Sequence, residues 1–519
     1  MSTPLRIVAG LLCLLYGALP VRAAPEKALE RGTATTDPLA LRELDRGRFG
    51  LGRILNPSRA NASPLDNAEL FRQPSMAAVK SAIDAEFERY IARHTAELPG
   101  ETIGVGEAFD FQLFDRALLT SADTRFVLAG IVNRMDRAYV AEASCGEIRL
   151  IYRLTRTDVP AGGETLARLP VTLNVILHAR GEPAVDRDGQ PITCAAIAQR
   201  WLATSDLALT GRDLAAKLQL KDGPLDIVSH RNIDRIETNL QIAHARKSAR
   251  RDFRTDYLLK VFRYDAQARA FNEVPLENQI DRERLLADSG LARDFKEWLL
   301  DPTHFAELDR GTILIPEKFL AKAAIAPTPV GFVPSNLLPE FGLSEGEGSH
   351  AVFSEGDVVA ALKRAASDRT SLQNIRSFGG FQRRLNDITC AGCHQTRGIG
   401  GFHFPGVDWM TAKPSNATVV PASPHFFGDQ ARRRDILAAL RDGRQPDYSR
   451  GFASRPQLRG TKELAGTEYN DGWGAHCYRL VRPSASNDAS FRNWTCAKGL
   501  TCQTADATTR IGMCFVKPR

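Results

Sequence analysis

Nine cysteines constrain this 519-residue chain more than any other feature. They are spread unevenly. Cys390 and Cys393 stand in the string Cys390-Ala391-Gly392-Cys393-His394, while Cys477, Cys496, Cys502 and Cys514 crowd the tail. Cys145 and Cys194 lie apart upstream, and Cys13 falls near the start. Which of them can cross-link depends on compartment, because disulfides persist in oxidising surroundings and are rare in the cytosol. The N-terminus addresses this. Arg6 precedes an apolar run from Ile7 to Leu19, and Val21-Arg22-Ala23-Ala24 offers small residues for cleavage. Residues 1–23 therefore read as a secretory signal peptide, with Cys13 as part of its apolar filling. The run is too short to span a bilayer comfortably as a permanent helix. No later stretch approaches 18 consecutive apolar residues, so the expectation is a periplasmic or secreted protein with no membrane span in the mature chain.

In that compartment the thiols need partners. With Cys13 removed and the C-x-x-C pair set aside, an even number remains. Cys145 and Cys194 are the only two outside the tail and are expected to pair. The four tail cysteines make two bridges, with three connectivities open.

The string Cys390-Ala391-Gly392-Cys393-His394 matches C-x-x-C-H, the attachment signature of c-type haem. The chemistry explains the spacing. Each thiol adds to one haem vinyl group, and the histidine that follows becomes the proximal axial ligand. Ala391 and Gly392 are small and leave the haem edge unobstructed. One covalent haem c held by Cys390, Cys393 and His394 is thus the expected cofactor. Three rival readings exist. A thioredoxin-like dithiol should open a helix directly after a buried strand, yet Asp357 to Leu385 is polar and helical in pattern. A zinc site would want a second ligand pair, and no other C-x-x-C occurs. A plain structural disulfide is the third.

A sixth iron ligand would come from downstream. His403 lies in the glycine-bounded loop Gly400-Gly401-Phe402-His403-Phe404-Pro405-Gly406, whose aromatics suit a porphyrin face. Met410 follows Trp409 and is the only methionine near the motif. His403 ranks ahead of Met410. His425 reads as a packed residue, His476 is a further candidate, and Met513 lies far off in the tail. A methionine ligand raises the potential of the iron relative to paired histidines.

Other chemistries are excluded or unsupported. The formal charge is +7, and removal of Arg6 and Arg22 leaves +5, which is mild for this size and argues against a dedicated nucleic-acid binder. The densest basic stretch, Arg246 to Arg254, reads as a solvated face, or else as a docking patch for an acidic redox partner protein. There is no G-x-S-x-G elbow, H-E-x-x-H or Walker loop. His178 reads as a strand-end residue.

Periodicity divides the chain. Residues 24–105 form a polar lead-in followed by a helix, with Met76, Val79, Ile83, Phe87 and Ile91 at helical spacing. Residues 106–279 carry strand signals at Phe126–Val132, Ile148–Leu154, Val171–Leu177 and Tyr257–Tyr264, which predict a β-rich, sandwich-like domain. Residues 280–460 are mainly helical and contain the haem motif. Residues 466–519 form a cysteine-rich disulfide module too small to build much core. The fold class is α+β.

The segment Phe378-Gly379-Gly380-Phe381-Gln382-Arg383-Arg384-Leu385-Asn386-Asp387-Ile388-Thr389 leading into Cys390 resembles a group of secreted bacterial proteins with a single C-x-x-C-H motif. Ala129-Gly130-Ile131-Val132-Asn133-Arg134-Met135-Asp136, Cys145-Gly146-Glu147-Ile148-Arg149 and Ser423-Pro424-His425-Phe426-Phe427-Gly428-Asp429 resemble the same group. That resemblance covers most of the mature chain and implies no named reaction. Over five residues the motif is similar to c-type cytochromes, which implies thioether roles for Cys390 and Cys393 and a proximal role for His394. The chain departs from mono-haem cytochromes, whose methionine ligand lies further downstream, and from di-haem peroxidases, which carry two motifs. The expectation is an exported mono-haem protein for electron transfer or haem-dependent oxidation. The alternative is a secreted binding or structural protein whose C-x-x-C is a disulfide and whose tail binds a partner or surface.

Overall fold

A computed structural model describes residues 30–59, 64–106, 108–157, 168–186, 188–245, 254–329, 352–395, 426, 429–452, 476–504 and 507–516. The signal-peptide reading, His403, Met410, His425 and most of the basic stretch at 246–254 lie outside the described residues.

Alternating side chains in long strands build the centre of the molecule. Strands β1 (Ala34–Thr35), β2 (Ile103–Gly104), β3 (Phe111–Leu113), β4 (Thr124–Arg134), β5 (Glu147–Arg156), β6 (Arg168–His178), β7 (Ile233–Ala245), β8 (Arg254–Asp265), β9 (Ala270–Val274) and β10 (Ala324–Pro329) join in one sheet. Its spine is the antiparallel series β4–β5–β6–β7–β8. β1 adds beside β4, β3 extends the β6 side of β7, and β9 and β10 share the outer edge of β8.

Helices cover one face of this sheet: α1 (Pro38–Arg46), α2 (Ala77–Glu97), α3 (Cys194–Leu202) and α4 (Gly211–Gln219). Leu41 and Leu44 of α1, Ile83 and Phe87 of α2, Trp201 of α3 and Leu214 of α4 join Leu150, Leu173, Ile236 and Phe262 of the sheet in one apolar core. Local chemistry starts these helices where they start. Asp37 accepts from the Ala40 amide at the head of α1, with Pro38 in the first turn. Thr193 does the same for Ala196 in α3.

A second core unites α5 (Ser289–Leu299), α6 (Pro302–Arg310), α7 (Glu355–Ser367) and α8 (Phe378–Asp387) through Phe295, Phe305, Val358 and Phe381. Short α9 (Cys390–Gln395) follows α8, and α10 (Gln430–Arg441) packs against α3. The tail forms a small sheet, β11 (His476–Tyr478), β13 (Ile511–Val516) and β12 (Leu500–Gln503), in that order.

The α+β class holds. Within it, the strands form one sheet with helices on its apolar face, not two facing sheets. The reason is the second face, which carries Arg149, Arg153, Asn174, Glu237 and Asn239, and cannot serve as the apolar wall of a sandwich. Two helices, α3 and α4, also interrupt the stretch that reads as strands, and β10 returns to the sheet from the helical region. Residues 30–59 of the lead-in fold onto the core, because the spacing of Ala40, Leu41 and Leu44 puts all three in it.

Cys145 and Cys194 pair as expected, and the tail makes two bridges. Cys145 bonds Cys194, Cys477 bonds Cys502, and Cys496 bonds Cys514, which selects one of the three tail connectivities. No helix among the described residues is long and apolar enough to cross a membrane.

Candidate functional site at the C-x-x-C-H helix

Three residues around the first cysteine, Asn386, Thr389 and Gly392, set up the turn. Thr389 caps α9: its hydroxyl accepts from the Gly392 amide at 2.9 Å and donates to the Asn386 carbonyl at 2.7 Å. The Cys393 amide then donates to the Thr389 carbonyl at 2.9 Å. Gly392 is forced by proximity, since a Cβ there would lie 2.0 Å from the Asn386 carbonyl oxygen. The order Asn386, Thr389, Gly392 is therefore the scaffold on which Cys390 and Cys393 are mounted about one helical turn apart.

α9 lies against β10 at the sheet edge. Ala391 joins Tyr257, Leu259, Val261, Leu276, Ala324 and Ala326 in an apolar patch, and Cys390 packs on it. The Ala391 amide donates to Gln279 Oε1 at 3.0 Å, and the Cys390 thiol points at the Glu277 carbonyl at 3.5 Å. Neither Cys390 nor Cys393 is in a disulfide. Burial pushes the Cys390 thiol well up, and the Glu237 and Glu277 carboxylates add to this, the opposite of an activated nucleophile. His394 is part of the α9 backbone; its side chain lies outside the described residues, as do His403 and Met410. His476 lies elsewhere, buried in β11 with its Nδ1 2.5 Å from Arg383 Nη2.

Beside this seat the sheet carries a lattice of buried charge. Arg137 reaches Glu147 at 3.1 Å, Arg149 reaches Glu147 at 2.8 Å and Glu237 at 3.2 Å, and Arg235 reaches Glu147 at 2.9 Å. Arg137 also pairs with Glu277, whose backbone carbonyl faces Cys390. Burial by itself would raise the Glu147 carboxyl; Arg137, Arg235 and Arg149 overcome that and hold it well below the usual range. In the sequence, Cys145 to Arg149 stands out only through a resemblance, not as part of a charge lattice. Its signal is present: Glu147, Arg149 and Arg153 alternate with Ile148, Leu150 and Tyr152 on β5, and Arg235 and Glu237 repeat the pattern on β7.

The helix before the motif is clamped from two sides. Arg384 of α8 donates to the carbonyls of Gly451 at 2.8 Å, Asp309 at 2.7 Å and Arg450 at 2.9 Å. Ser377, its cap, donates to Asp488 at 2.6 Å, and the Arg376 amide donates to Ser490 at 3.0 Å. The disulfide module is thus packed onto the element that presents the cysteines.

A separate cleft of about 510 Å³ opens between Tyr139, Trp298, His304, Glu307, Arg310 and Tyr448. Trp298 and His304 stack at 4.2 Å, and Tyr139 meets Tyr448 at 5.5 Å.

No family model, curated protein or solved structure matches this chain. Fold and site define its class directly: a disulfide-bonded α+β protein that mounts a C-x-x-C-H helix on the edge of a sheet whose second face is charged.

Proposed function

We propose that this is an exported mono-haem c-type protein, used for electron transfer or for haem-dependent oxidation. One observation carries the reading. Two cysteines outside any disulfide sit one turn apart on a capped helix, followed immediately by a histidine, in a chain whose other described cysteines are paired. The residues fit the group. Cys390 and Cys393 would supply the two thiols, and His394 would hold the iron by its place in the motif. Each thiol would add across one vinyl group, its sulfur forming the C–S bond as the C=C π bond breaks and its proton passing to the adjacent carbon, with no oxidant consumed. When bound, the haem supplies a one-electron couple. The chain's own part is to anchor the porphyrin at a fixed edge, exclude water through the Leu259, Val261 and Ala326 patch, and set the local field through Glu237, Glu277 and Arg149. His403, ahead of Met410, is the proposed sixth ligand. The three disulfides accord with a periplasmic or extracellular location.

Expression with a cytochrome c maturation system tests the reading. A denaturing gel stained for haem peroxidase activity should show a band at the full chain, and Cys393→Ala should abolish it. Reduced-minus-oxidised spectra of His403→Ala and Met410→Ala then identify the sixth ligand. An unstained wild-type band would favour the second reading, a secreted binding protein, for which the aromatic-lined cleft at Trp298 and Tyr448 is the specific feature.

A further inference from the structure

The charged sheet face holds a second kind of residue. In register across the strands, Arg153 of β5 lies opposite Thr172 of β6, Thr172 opposite Asn239 of β7, Asn239 opposite Leu259 of β8, and Leu259 opposite Ala324 of β10. The adjacent row runs Ile151, Asn174, Glu237, Val261. Residues on one row of a pleated sheet share a face. Here that is the face on which Leu259, Val261 and Ala324 meet Ala391 and Cys390.

Most polar groups on this face are paired within it, as the Arg149, Arg235, Glu147 and Glu237 contacts show. Three residues are not satisfied that way. Asn174 is 0 % exposed, and neither its amide oxygen nor its amide nitrogen has a hydrogen-bond partner. The Thr172 hydroxyl, on a residue 8 % exposed, and the Asn239 amide oxygen, on a residue 6 % exposed, also have none. Buried amides and hydroxyls are nearly always bonded in native proteins, and leaving one unbonded costs about 1–3 kcal/mol. These four atoms cluster on two neighbouring strands. They stand one and two strand spacings, about 5 and 10 Å, from the strand that carries the Cys390 patch.

We propose that Thr172, Asn174 and Asn239 form the seat for the carboxylate side chains of a porphyrin attached at Cys390 and Cys393. This rests on the haem reading above and adds the orientation of the group: anchored over β8 and β10, extended across β7 toward β6. The chemistry matches. A carboxylate accepts from a hydroxyl and from amide N–H groups, and an Asn amide offers its donor after a half-turn about its last torsion. Arg153 stands at the end of the first row, and Glu237, held by Arg149 and Arg235, lies opposite Asn174 in the second.

The proposal makes a sign prediction. Asn174→Leu and, as a gentler second variant, Thr172→Val are each placed in two backgrounds: the matured protein, and the Cys390→Ala/Cys393→Ala protein that cannot carry haem covalently. Without the cofactor, either change removes an unbonded buried polar group, so the melting temperature should rise by about 2 °C or more. In the matured protein the same change removes a bond to the porphyrin carboxylate, so the melting temperature should fall. The carboxylate bands of the redox-difference infrared spectrum should shift as well, while haem per chain stays constant. Equal shifts in both backgrounds, with unmoved carboxylate bands, would mean that the band holds ordered water only, and would overturn the seat while leaving the haem reading intact. An unstained wild-type chain would overturn both. If Asn174→Leu fails to fold, Thr172→Val decides by the same comparison of signs.

Discussion

Gly392 shows how little room the motif leaves. Its position is dictated by the Asn386 carbonyl, which a methyl group would approach to 2.0 Å. Backbone cannot yield as a flexible side chain can, so Gly392→Ala should destabilise the chain by about 1–3 kcal/mol in urea unfolding and reduce haem incorporation. Wild-type stability in that variant would show that α9 is seated differently. Thr389 carries the next share. Loss of its cap in Thr389→Ala should cost about 1 kcal/mol, whereas Thr389→Ser, which keeps a hydroxyl, should stay close to wild type by the same measurement. Both residues stand next to the cysteines in sequence, so the motif and its local support are written together. The residues beneath it are not. Glu277 and Gln279 touch Cys390 and Ala391 from 113 and 112 positions away, and no pattern at that distance announces the contact.

At the scale of elements, charge decides. β5 and β7, on either side of β6, and the turn that carries Arg137 bury Glu147 among Arg137, Arg149 and Arg235. Its carboxyl is depressed in the folded protein relative to the unfolded chain. Such a group adds stability that is present above the unfolded carboxylate value and lost as pH falls through the folded one. Stability measured by urea unfolding should therefore be level from pH 7 to pH 5 and decline below about pH 4. Asp136 behaves alike. Burial would raise it, but Arg134, Arg432 and Arg433 hold it well below its usual range. Glu147→Gln should cost about 3–5 kcal/mol at neutral pH, because it leaves three arginines short of a buried counter-charge, and its acid decline should be shallower. A variant as stable as wild type at pH 7 would show the lattice to be unimportant. The alternation of Glu147, Arg149 and Arg153 within apolar strands is legible as a face; that this face is buried is not, because alternation alone usually marks a solvated side.

Across the whole molecule, the tail acts as a clamp. Its four cysteines form Cys477–Cys502 and Cys496–Cys514, and its Asp488 and Ser490 hold the start of α8. Arg383 of α8 lies 5.7 Å over the Trp494 ring and contacts His476. Removing one bridge with Cys496→Ala/Cys514→Ala should cost about 2–5 kcal/mol. It should also raise hydrogen exchange in α8 as well as in the tail, as mass spectrometry of the exchanging amides would show. Exchange confined to the tail would make the module an independent appendage.

What the sequence determined by itself is local. Short apolar or partly alternating runs marked β4, β5, β6 and β8, the period near four marked α2, and the place of Cys145 and Cys194 outside the tail pointed to their pairing. The C-x-x-C-H string named its own candidate cofactor. Each of these depends on residues a few positions apart, or on counting. Tertiary structure decided what lies between distant parts: that β1 to β10 join in one sheet, that α3 and α4 are inserted in the stretch between its strands, that β10 returns beside β8, and which tail cysteines meet. It also placed the motif over a charged face. Those outcomes follow from packing and electrostatic pairing among residues far apart in the chain, where no short spacing carries the information.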